Sequence, residues 1–388
     1  MTKSSWGPFR FSAFALPCAV VDSPCAILGS PGLLTRSFPL AGRSRMSWDS
    51  GRRVATHSRD LLMPRTNLFY CGLLLLAGCT APSGGSPMEI REASGVIRQS
   101  DRLLIVDDSV WGAYSSVPIN GQKGPLISLQ GARRIPLPAS PMVPDFEGVD
   151  RLADGKLVFL SERLRSLIGE DGLIAQYDSL LGEFANRGLE GVAVRPLSGG
   201  VSRIAVIWEG GYPDYASVPW SLRSTAGRQP MRPLVVVHDL DSGVRGVELK
   251  TRDAKLAVEL EVPKPDGEEP EAQRFRAPDL VWTHWRNGPA EDWGFLVLIT
   301  SQNSVQRPQY LFHWLQRFDL KGKPIGEPLD LAQFLPADIQ HANWEGLSWF
   351  DPGKSVVLVH EGERQVDTRA LILNLPEDWQ YAATETNR

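Results

Sequence analysis

Cysteine is scarce in this 388-residue chain and is confined to its first part. The four cysteines are Cys18, Cys25, Cys71 and Cys79, and none follows. The chain beyond Cys79 can therefore form no disulfide and offers no cysteine as a metal ligand or nucleophile. Its stability must come from a hydrophobic core, for which about 310 residues are ample.

Long hydrophobic runs are also lacking. The apolar stretch Leu68–Leu76 is far shorter than the ~20 residues with which a helix spans a bilayer. It follows Arg65 and precedes Ala77, Gly78 and Cys79, which is the order of a secretory signal. The ending "LAGC" resembles a bacterial lipobox, which implies a diacylated Cys79 as the mature N-terminus. The alternative is a buried apolar helix that ends in Gly-Cys.

This signal does not lie at the start of the chain. Residues 1–62 are rich in Arg, Ser and Pro and show no sustained period, so we interpret them as an upstream extension, with translation starting at Met63. A genuine basic extension ahead of the signal is the alternative. Residues 63–78 then form the signal peptide, residues 79–88 a flexible tether, and residues 89–388 the folded domain.

Positive charge is under-represented in the predicted mature chain. Residues 1–78 carry nine basic and three acidic side chains, which leaves 32 basic and 42 acidic ones, a net charge of −10. Such a domain is a poor partner for nucleic acid or anionic lipid and is compatible with cations. We expect a cell-envelope protein that contacts the periplasmic face of the outer membrane through its lipid alone, with a small-molecule or envelope partner.

Familiar catalytic motifs are missing as well. The segment "GLSWF" is not Gly-x-Ser-x-Gly, "HEGER" is not His-Glu-x-x-His, and no Gly-x-x-x-x-Gly-Lys occurs. Two histidines, His341 and His360, flank the last Glu-Gly segment and are the candidates for a general base. The alternative for each is an ordinary core or surface histidine.

The chain does contain a repeat. Three segments begin with Glu-Gly after an apolar or aromatic residue and continue into an apolar strand that ends in an acid. Two degenerate copies have Ser94 and Asp279 at the Glu position. The acid pairs of the three full copies are Glu147 with Glu162, Glu190 with Glu209, and Glu345 with Glu361.

The spacing of these copies predicts the fold. The markers Gly95, Gly148, Gly191, Leu280 and Gly346 are 53, 43, 89 and 66 residues apart, and further strand and turn signals lie between them. Repeats of this length with about four short strands indicate an all-β propeller. The step of 89 spans about two units, so we predict six blades, with a degenerate copy between residues 230 and 260. Five and seven blades are the alternatives.

Glycine at the inner strands of a propeller lets the backbones crowd around a central channel. The adjacent Glu147, Glu190 and Glu345, with Asp279, are then predicted to form a ring that binds Ca²⁺ or another divalent cation. Pairing with arginines is the alternative. The second acids, one strand further out, are expected in structural salt bridges, for which Arg163 and Arg364 lie nearby in sequence.

One long loop, residues 210–233, combines aromatic and basic side chains. Arginines with aromatics bind phosphates or sugars, and long loops on rigid scaffolds often bind ligands. The alternative is a packed crossing between blades. The candidate ligand-binding residues are Tyr212, Trp220, Arg223, Arg228 and Arg232.

At "EASGV", "DFEGVDRLADGKLVFLSER", "GLEGVAV" and "NWEGLSW" the chain resembles the "esterase-like activity of phytase" family over about residues 90–375. The resemblance implies a secreted or lipid-anchored propeller that hydrolyses phosphoesters or esters with a metal. The chain lacks the dense aspartate clusters of alkaline phytases, which argues against phytate as substrate. The alternative is a lipid-anchored propeller that binds a ligand or protein without catalysis.

Overall fold

The computed structural model describes nine stretches of the unit Cys79–Arg388. They are residues 89–110, 112–137, 145–178, 188–210, 232–262, 274–284, 293–302, 310–362 and 367–381. Five predictions concern side chains outside these residues: the lipidated Cys79 and the ligand-binding Tyr212, Trp220, Arg223 and Arg228. None of the helices in the described part is long and apolar enough to cross a membrane.

The described residues form five sheets, which we number as blades. Blade 1 contains β1 (Ala93–Gln99), β2 (Arg102–Asp107), β3 (Ala113–Pro118) and β5 (Arg133–Pro136). Blade 2 contains β6 (Phe146–Arg151), β7 (Leu157–Ser161), β8 (Ser166–Gly169), β9 (Gly172–Tyr177) and β13 (Val247–Leu249). Blade 3 contains β10 (Leu189–Pro196), β11 (Val201–Trp208), β12 (Leu234–Asp241) and β14 (Leu256–Glu259).

The last two blades complete the ring. Blade 4 contains β15 (Arg274–His284), β16 (Trp293–Gln302), β17 (Tyr310–Asp319) and β18 (Pro324–Asp330). Blade 5 contains β19 (Trp344–Asp351), β20 (Ser355–His360), β21 (Arg369–Asn374) and β4 (Leu126–Ser128). Strand β4 precedes blade 2 in the chain but pairs with β21, so the N-terminal part of the domain closes its last blade.

The inner strands contact one another in a closed circle, in which β1 touches β6, β6 touches β10, β10 touches β15, β15 touches β19, and β19 touches β1. Strands such as β7 and β20 are buried along their whole length, because a neighbouring blade covers each face. This explains why they are continuous runs of Val, Leu and Phe without polar alternation. The architecture is a five-bladed β-propeller, and the predicted class is confirmed.

The predicted count of six blades is wrong. The described strands in the 89-residue step from Gly191 to Leu280 build one further blade only, blade 3, apart from β13 and the start of β15. Residues 230–260 form no separate copy: they supply β12 and β14 to blade 3, and β13, which joins blade 2 parallel to β9. Step length overestimates the number of blades wherever a loop is long.

Glycine is required where the inner strands crowd together. A Cβ atom at Gly191 would lie 2.7 Å from the Cα of Asp279 in the next blade, and one at Gly148 would lie 2.9 Å from the backbone nitrogen of Val192. Real Cβ atoms do not approach backbone this closely. The Glu-Gly pattern therefore marks points where two blades meet, as the sequence predicts.

Side chains of one blade form hydrogen bonds with backbone N–H and C=O groups on the inner strand of a neighbouring blade. The carboxylate of Asp279 accepts from Leu347 N at 2.7 Å and from Leu280 N at 2.8 Å. Trp282 Nε1 donates to Ala193 O at 3.2 Å, and Trp349 Nε1 donates to Trp282 O at 2.9 Å. Since buried backbone groups left unpaired are costly, these bonds stabilise the ring of blades.

Candidate functional site

Four inner strands begin with a β-bulge of the same kind. In β1, β6, β10 and β19 one residue before the glycine has no partner in the second strand. A bulge re-aims its extra side chain, and bulges are common next to functional sites. The extra residues are Ser94, Glu147, Glu190 and Glu345, so the three predicted glutamates occupy equivalent positions at one mouth of the channel.

Asp279 does not belong to this set. It pairs with Leu298 at the position that glycine occupies in the other blades, because the bulge of blade 4 places Ala277 and Pro278 opposite Ile299 alone and Asp279 is the first paired residue after it. Its carboxylate accepts the two backbone hydrogen bonds described above. The predicted alignment of Asp279 with the glutamates is therefore wrong by one residue, and its observed role is to join blades.

The second acids lie at the same mouth. In an antiparallel hairpin, the end of the second strand lies beside the start of the first. In four blades a backbone hydrogen bond joins the residue after the second strand to the residue before the first. Glu162 N donates to Asp145 O and Glu361 N donates to Asn343 O, at 3.2 and 2.9 Å. We call the resulting group the acidic mouth; its carboxylates belong to Glu92, Asp107, Asp108, Asp145, Glu147, Glu162, Glu190, Glu209, Glu345 and Glu361.

Arg276 offsets part of this charge. Its Nη2 lies 3.5 Å from Glu190 Oε2 and 3.3 Å from Glu345 Oε1, and its Nε forms an ion pair with Glu209. Sequence reasoning missed Arg276 because it lies far from these glutamates along the chain. The sequence does contain one signal: blade 4 lacks a Glu-Gly pair and has a basic residue, Arg276, just before Asp279. Arg364, suggested by proximity in sequence, lies outside the described residues.

Blade 5 has an amide at the mouth. Asn343 Nδ2 donates to Glu345 and, at 2.7 Å, to Oε2 of Glu361. Asn343 precedes its inner strand at the position that Asp145 occupies in blade 2. The glutamate pairs of the two blades therefore have different environments, because blade 5 has a neutral amide donor where blade 2 has a carboxylate.

Blade 2 holds one of two groups of three closely spaced carboxylates among the described residues. Asp145, Glu147 and Glu162 each offer a carboxylate oxygen, and the three oxygens lie within 4.8 Å of one another. Glu147 is only 6 % exposed, and its carboxylate has no hydrogen bond or ion pair within the part of the chain that the structure describes. Arg163 is 61 % exposed and reaches Asp145 at only 3.9 Å. The environment of Glu147 is one that a cation would stabilise.

The pKa values follow from this arrangement. Burial raises the pKa of Glu147 well above its ordinary value, and the neighbouring carboxylates of Glu345, Glu162, Asp108 and Asp145 raise it further. Burial also raises the pKa of Glu190, as does Glu209, whereas Arg276 opposes the rise. The causes of the shift at Glu147 all raise its pKa, whereas at Glu190 the guanidinium of Arg276 lowers it.

Asp108 combines a perturbed pKa with partial exposure. Burial and a hydrogen bond with Glu92 raise the pKa of Asp108 to about 8. Glu92, Asp107 and Asp108 also offer three oxygens within 4.8 Å of one another. Asp107, however, is engaged by Arg91 N at 3.1 Å and by the backbone and hydroxyl of Ser109. Asp145 of the blade 2 group is likewise engaged, since Arg163 N donates to its Oδ2.

Of the two candidate histidines, His360 does not lie in position to act as a base. His360 is fully buried; its Nδ1 lies 2.6 Å from Glu361 O and its Nε2 accepts from Arg369 N at 3.2 Å. Burial lowers the pKa of His360 to about 4, so the ring is neutral and structural. The prediction for His360 is wrong, and His341 is an exposed residue of the loop before β19.

The predicted ligand-binding loop starts at this mouth. The chain leaves blade 3 at Gly210, directly after Glu209, and returns at the exposed Arg232. A Cβ atom on Gly210 would lie 2.6 Å from the backbone nitrogen of Pro233, so the two ends of the segment are adjacent. The predicted ligand-binding residues between these two ends lie outside the described residues, so their role stays a prediction.

Comparison with known proteins leaves the family open. No family model and no curated protein matches the chain. Solved structures that resemble it include virginiamycin B lyase from Staphylococcus aureus, at 10 % identity and a TM-score of 0.33, covering 75 % of this chain and 99 % of that one. The calcium-binding protein regucalcin from Agrobacterium tumefaciens has 11 % identity and a TM-score of 0.32, with 74 % and 92 % covered.

A protein described as a gluconolactonase resembles the chain to the same degree, with 12 % identity and a TM-score of 0.32 over 76 % of this chain and 96 % of that one. TM-scores this low carry no argument about activity or ligands. The resemblance to the phytase-related family is not confirmed by these comparisons and stays a prediction from the motifs.

Proposed function

We propose that the acidic mouth binds one divalent cation, most simply Ca²⁺, through Asp145, Glu147 and Glu162. The observation that carries this proposal is the carboxylate of Glu147, which is buried among other carboxylates without a hydrogen bond or ion pair in the described structure. Ca²⁺ prefers several carboxylate and carbonyl oxygens and tolerates irregular geometry, which fits this set of donors. The cation would add positive charge beside the carboxylate of Glu147.

We further propose that the mouth hydrolyses phosphoesters or esters. A bound divalent cation would polarise the phosphoryl or carbonyl oxygen of the substrate. Asp108, at the rim, has a pKa of about 8 and therefore holds a proton at neutral pH, which it can donate to a leaving group. The arginines and aromatics of residues 211–231, which follow Glu209 and Gly210 in the chain, would hold the anionic or aromatic part of the substrate.

The test uses purified protein with 4-nitrophenyl phosphate and 4-nitrophenyl acetate as probes. The wild type in Ca²⁺ should hydrolyse at least one of the two probes. The rate should fall at least tenfold when chelator replaces Ca²⁺, and also in Glu147→Gln. Glu248→Gln, which changes an exposed acid on β13, should leave turnover unchanged. Bound Ca²⁺ without turnover of either probe would favour the alternative, a propeller that binds a ligand or partner through its cation without catalysis.

We also propose that the propeller is anchored in the cell envelope by lipid on Cys79. The sequence "LLLLAGC" supports this proposal. Cys79→Ser should abolish labelling by a palmitate analogue and release the protein from the membrane fraction. Persistent labelling, or recovery of residues 1–62 in the mature protein by mass spectrometry, would contradict it.

A further inference from the structure

The end of the propeller away from the acidic mouth carries an arginine without a polar partner. Arg195 is five residues after Glu190 in β10, so it lies about 16 Å from the acidic mouth along the strand. Its Nε and Nη1 are buried and have no hydrogen-bond partner. The guanidinium also forms no ion pair with the described residues. A partly desolvated charge is therefore left without a counter-charge, which is costly.

Two tryptophans of blade 4 hold this guanidinium in place. The Cζ atom of Arg195 lies 4.3 Å from the ring centre of Trp293 and 5.2 Å from that of Trp282. Trp282 is buried, and Trp293 is half-buried at the start of β16. The attraction between a cation and an aromatic face fixes the position of the guanidinium at the seam between blades 3 and 4. It does not neutralise the charge.

The neighbouring charges do not compensate Arg195 either. Arg203 lies directly opposite it in the pairing of β10 with β11, and Arg203 holds both carboxylate oxygens of Asp239, at 2.7 and 2.8 Å. Two guanidiniums with one carboxylate leave a net charge of +1. Burial lowers the pKa of Arg195 to about 10 and Arg203 lowers it further, whereas Asp239 opposes the fall. Arg195 thus keeps its charge at neutral pH.

Another stacked arginine shows what a complete environment contains. Arg98, near the end of β1 away from the acidic mouth, has its Cζ 4.2 Å from the ring centre of Phe350. Its Nη1 donates to Asp351 Oδ1 at 2.5 Å and to Phe350 O at 2.8 Å. Arg195 has the aromatic contacts of Arg98 but neither the carboxylate nor the carbonyl. An anion from outside the chain would supply what is missing.

We propose that Arg195, held by Trp282 and Trp293, binds the oxyanion group of a small organic acid at the seam between blades 3 and 4. Nη2 is the nitrogen that a phosphate, phosphonate or carboxylate oxygen would contact, since Nε and Nη1 are buried. Guanidinium binds such groups through charge-assisted hydrogen bonds. The half-buried ring of Trp293 would contact an apolar part of the ligand. This site uses no carboxylate of the acidic mouth and is independent of the proposed cation.

The test measures binding of phenylphosphonate, which carries an oxyanion and an aromatic ring but no ester bond that could be hydrolysed. Calorimetric titration is done in chelator, so that no cation at the acidic mouth binds the probe. Wild type should bind it at one site per chain with a Kd of about 1 mM or lower. Arg195→Met, which keeps the length of the side chain but not its charge, should weaken binding at least tenfold.

Arg98→Met is the matched control, because it removes a stacked arginine whose charge already has a carboxylate partner. It should leave the Kd unchanged, and circular dichroism verifies folding. Absence of binding by wild type, or equal weakening in Arg98→Met and Arg195→Met, would overturn the proposal. If Arg195→Met does not fold, Arg195→Lys decides. It keeps the charge but loses the planar group, so the Kd should rise at least threefold, and an unchanged Kd would overturn the proposal.

A carboxylate of the chain itself is the competing partner for Arg195. Glu291 and Asp292 precede Trp293 in the chain and lie outside the described residues. The double variant Glu291→Gln/Asp292→Asn should bind phenylphosphonate as wild type does. Binding that is at least tenfold tighter, or that occurs in the double variant alone, would identify an internal partner for the guanidinium and overturn the proposal.

Discussion

Glu147→Gln is expected to abolish most of the stabilisation that Ca²⁺ gives to the folded protein. A ligand that binds only the native state raises the free energy of unfolding by RT ln(1+[L]/Kd), which is about 2.7 kcal/mol at a hundredfold excess over Kd. For a domain of this size, that corresponds to a rise in Tm of about 5 °C. The measurement is thermal unfolding in chelator and in Ca²⁺ for wild type and variant.

Pseudo-symmetry supplies the matched control for this experiment. Glu190→Gln changes the equivalent bulge residue of blade 3, whose carboxylate pairs with Arg276. It should lower stability in chelator and leave the increment due to Ca²⁺ close to that of wild type. Equal loss of the increment in Glu147→Gln and Glu190→Gln would instead support one site shared by all three glutamates, which is the arrangement that the sequence predicts.

In chelator, the free energy of unfolding is expected to fall as the pH rises from about 6.5 to about 8. Carboxyls whose folded-state pKa is raised stay protonated in the native state after the unfolded chain has ionised at about pH 4. The native state then binds more protons, so stability falls with rising pH until the folded pKa is passed, about 8 for Asp108. Each carboxyl protonated across this window lowers stability by about 2 kcal/mol.

The pH window avoids an opposing contribution from histidine. Burial lowers the pKa of His238, that of His313 to about 3 and that of His360 to about 4. These three histidines therefore raise stability as the pH rises toward the pKa of about 6.5 that histidine has in the unfolded chain. Above about pH 6.5 they are mostly neutral in both states and change stability little. Urea unfolding at several pH values measures the slope. Saturating Ca²⁺ should flatten it, and a rise in stability with pH in chelator would contradict the prediction.

Much of the candidate site follows from local sequence. The Glu-Gly pairs mark a bulge whose glycine meets the next blade, and whose glutamate therefore lies at the channel mouth. Glu162, Glu209 and Glu361 could have been assigned to the same mouth, because antiparallel pairing returns the second strand of a hairpin to the start of the first. The prediction instead placed these three acids further from the channel, because they follow the second strand and not the first.

Other parts of the site could not be predicted from neighbouring residues. Arg276 is 86 residues after Glu190 and 69 before Glu345, and only closure of the ring brings its guanidinium between them. Asp279 looked like a degenerate copy of the glutamates, but it pairs with Leu298 at the glycine position, and only the strand register reveals this offset of one residue. The blade count failed for a related reason, since a long connection and a whole blade have similar lengths in sequence.

The sequence by itself determined the all-β repeat, the crowded glycines and the acids beside them, because these depend on short-range rules of strand pairing and Cβ clearance. Only the tertiary structure decided which glutamate has no compensating partner among the described residues. That outcome depends on Arg276, which reaches Glu190 and Glu345 from blade 4, and on Asn343 and Asp145, which lie beside the glutamate pairs of their own blades. Electrostatic energies at a buried site depend on distances of a few ångströms between residues that are remote in the chain, and folding alone sets those distances.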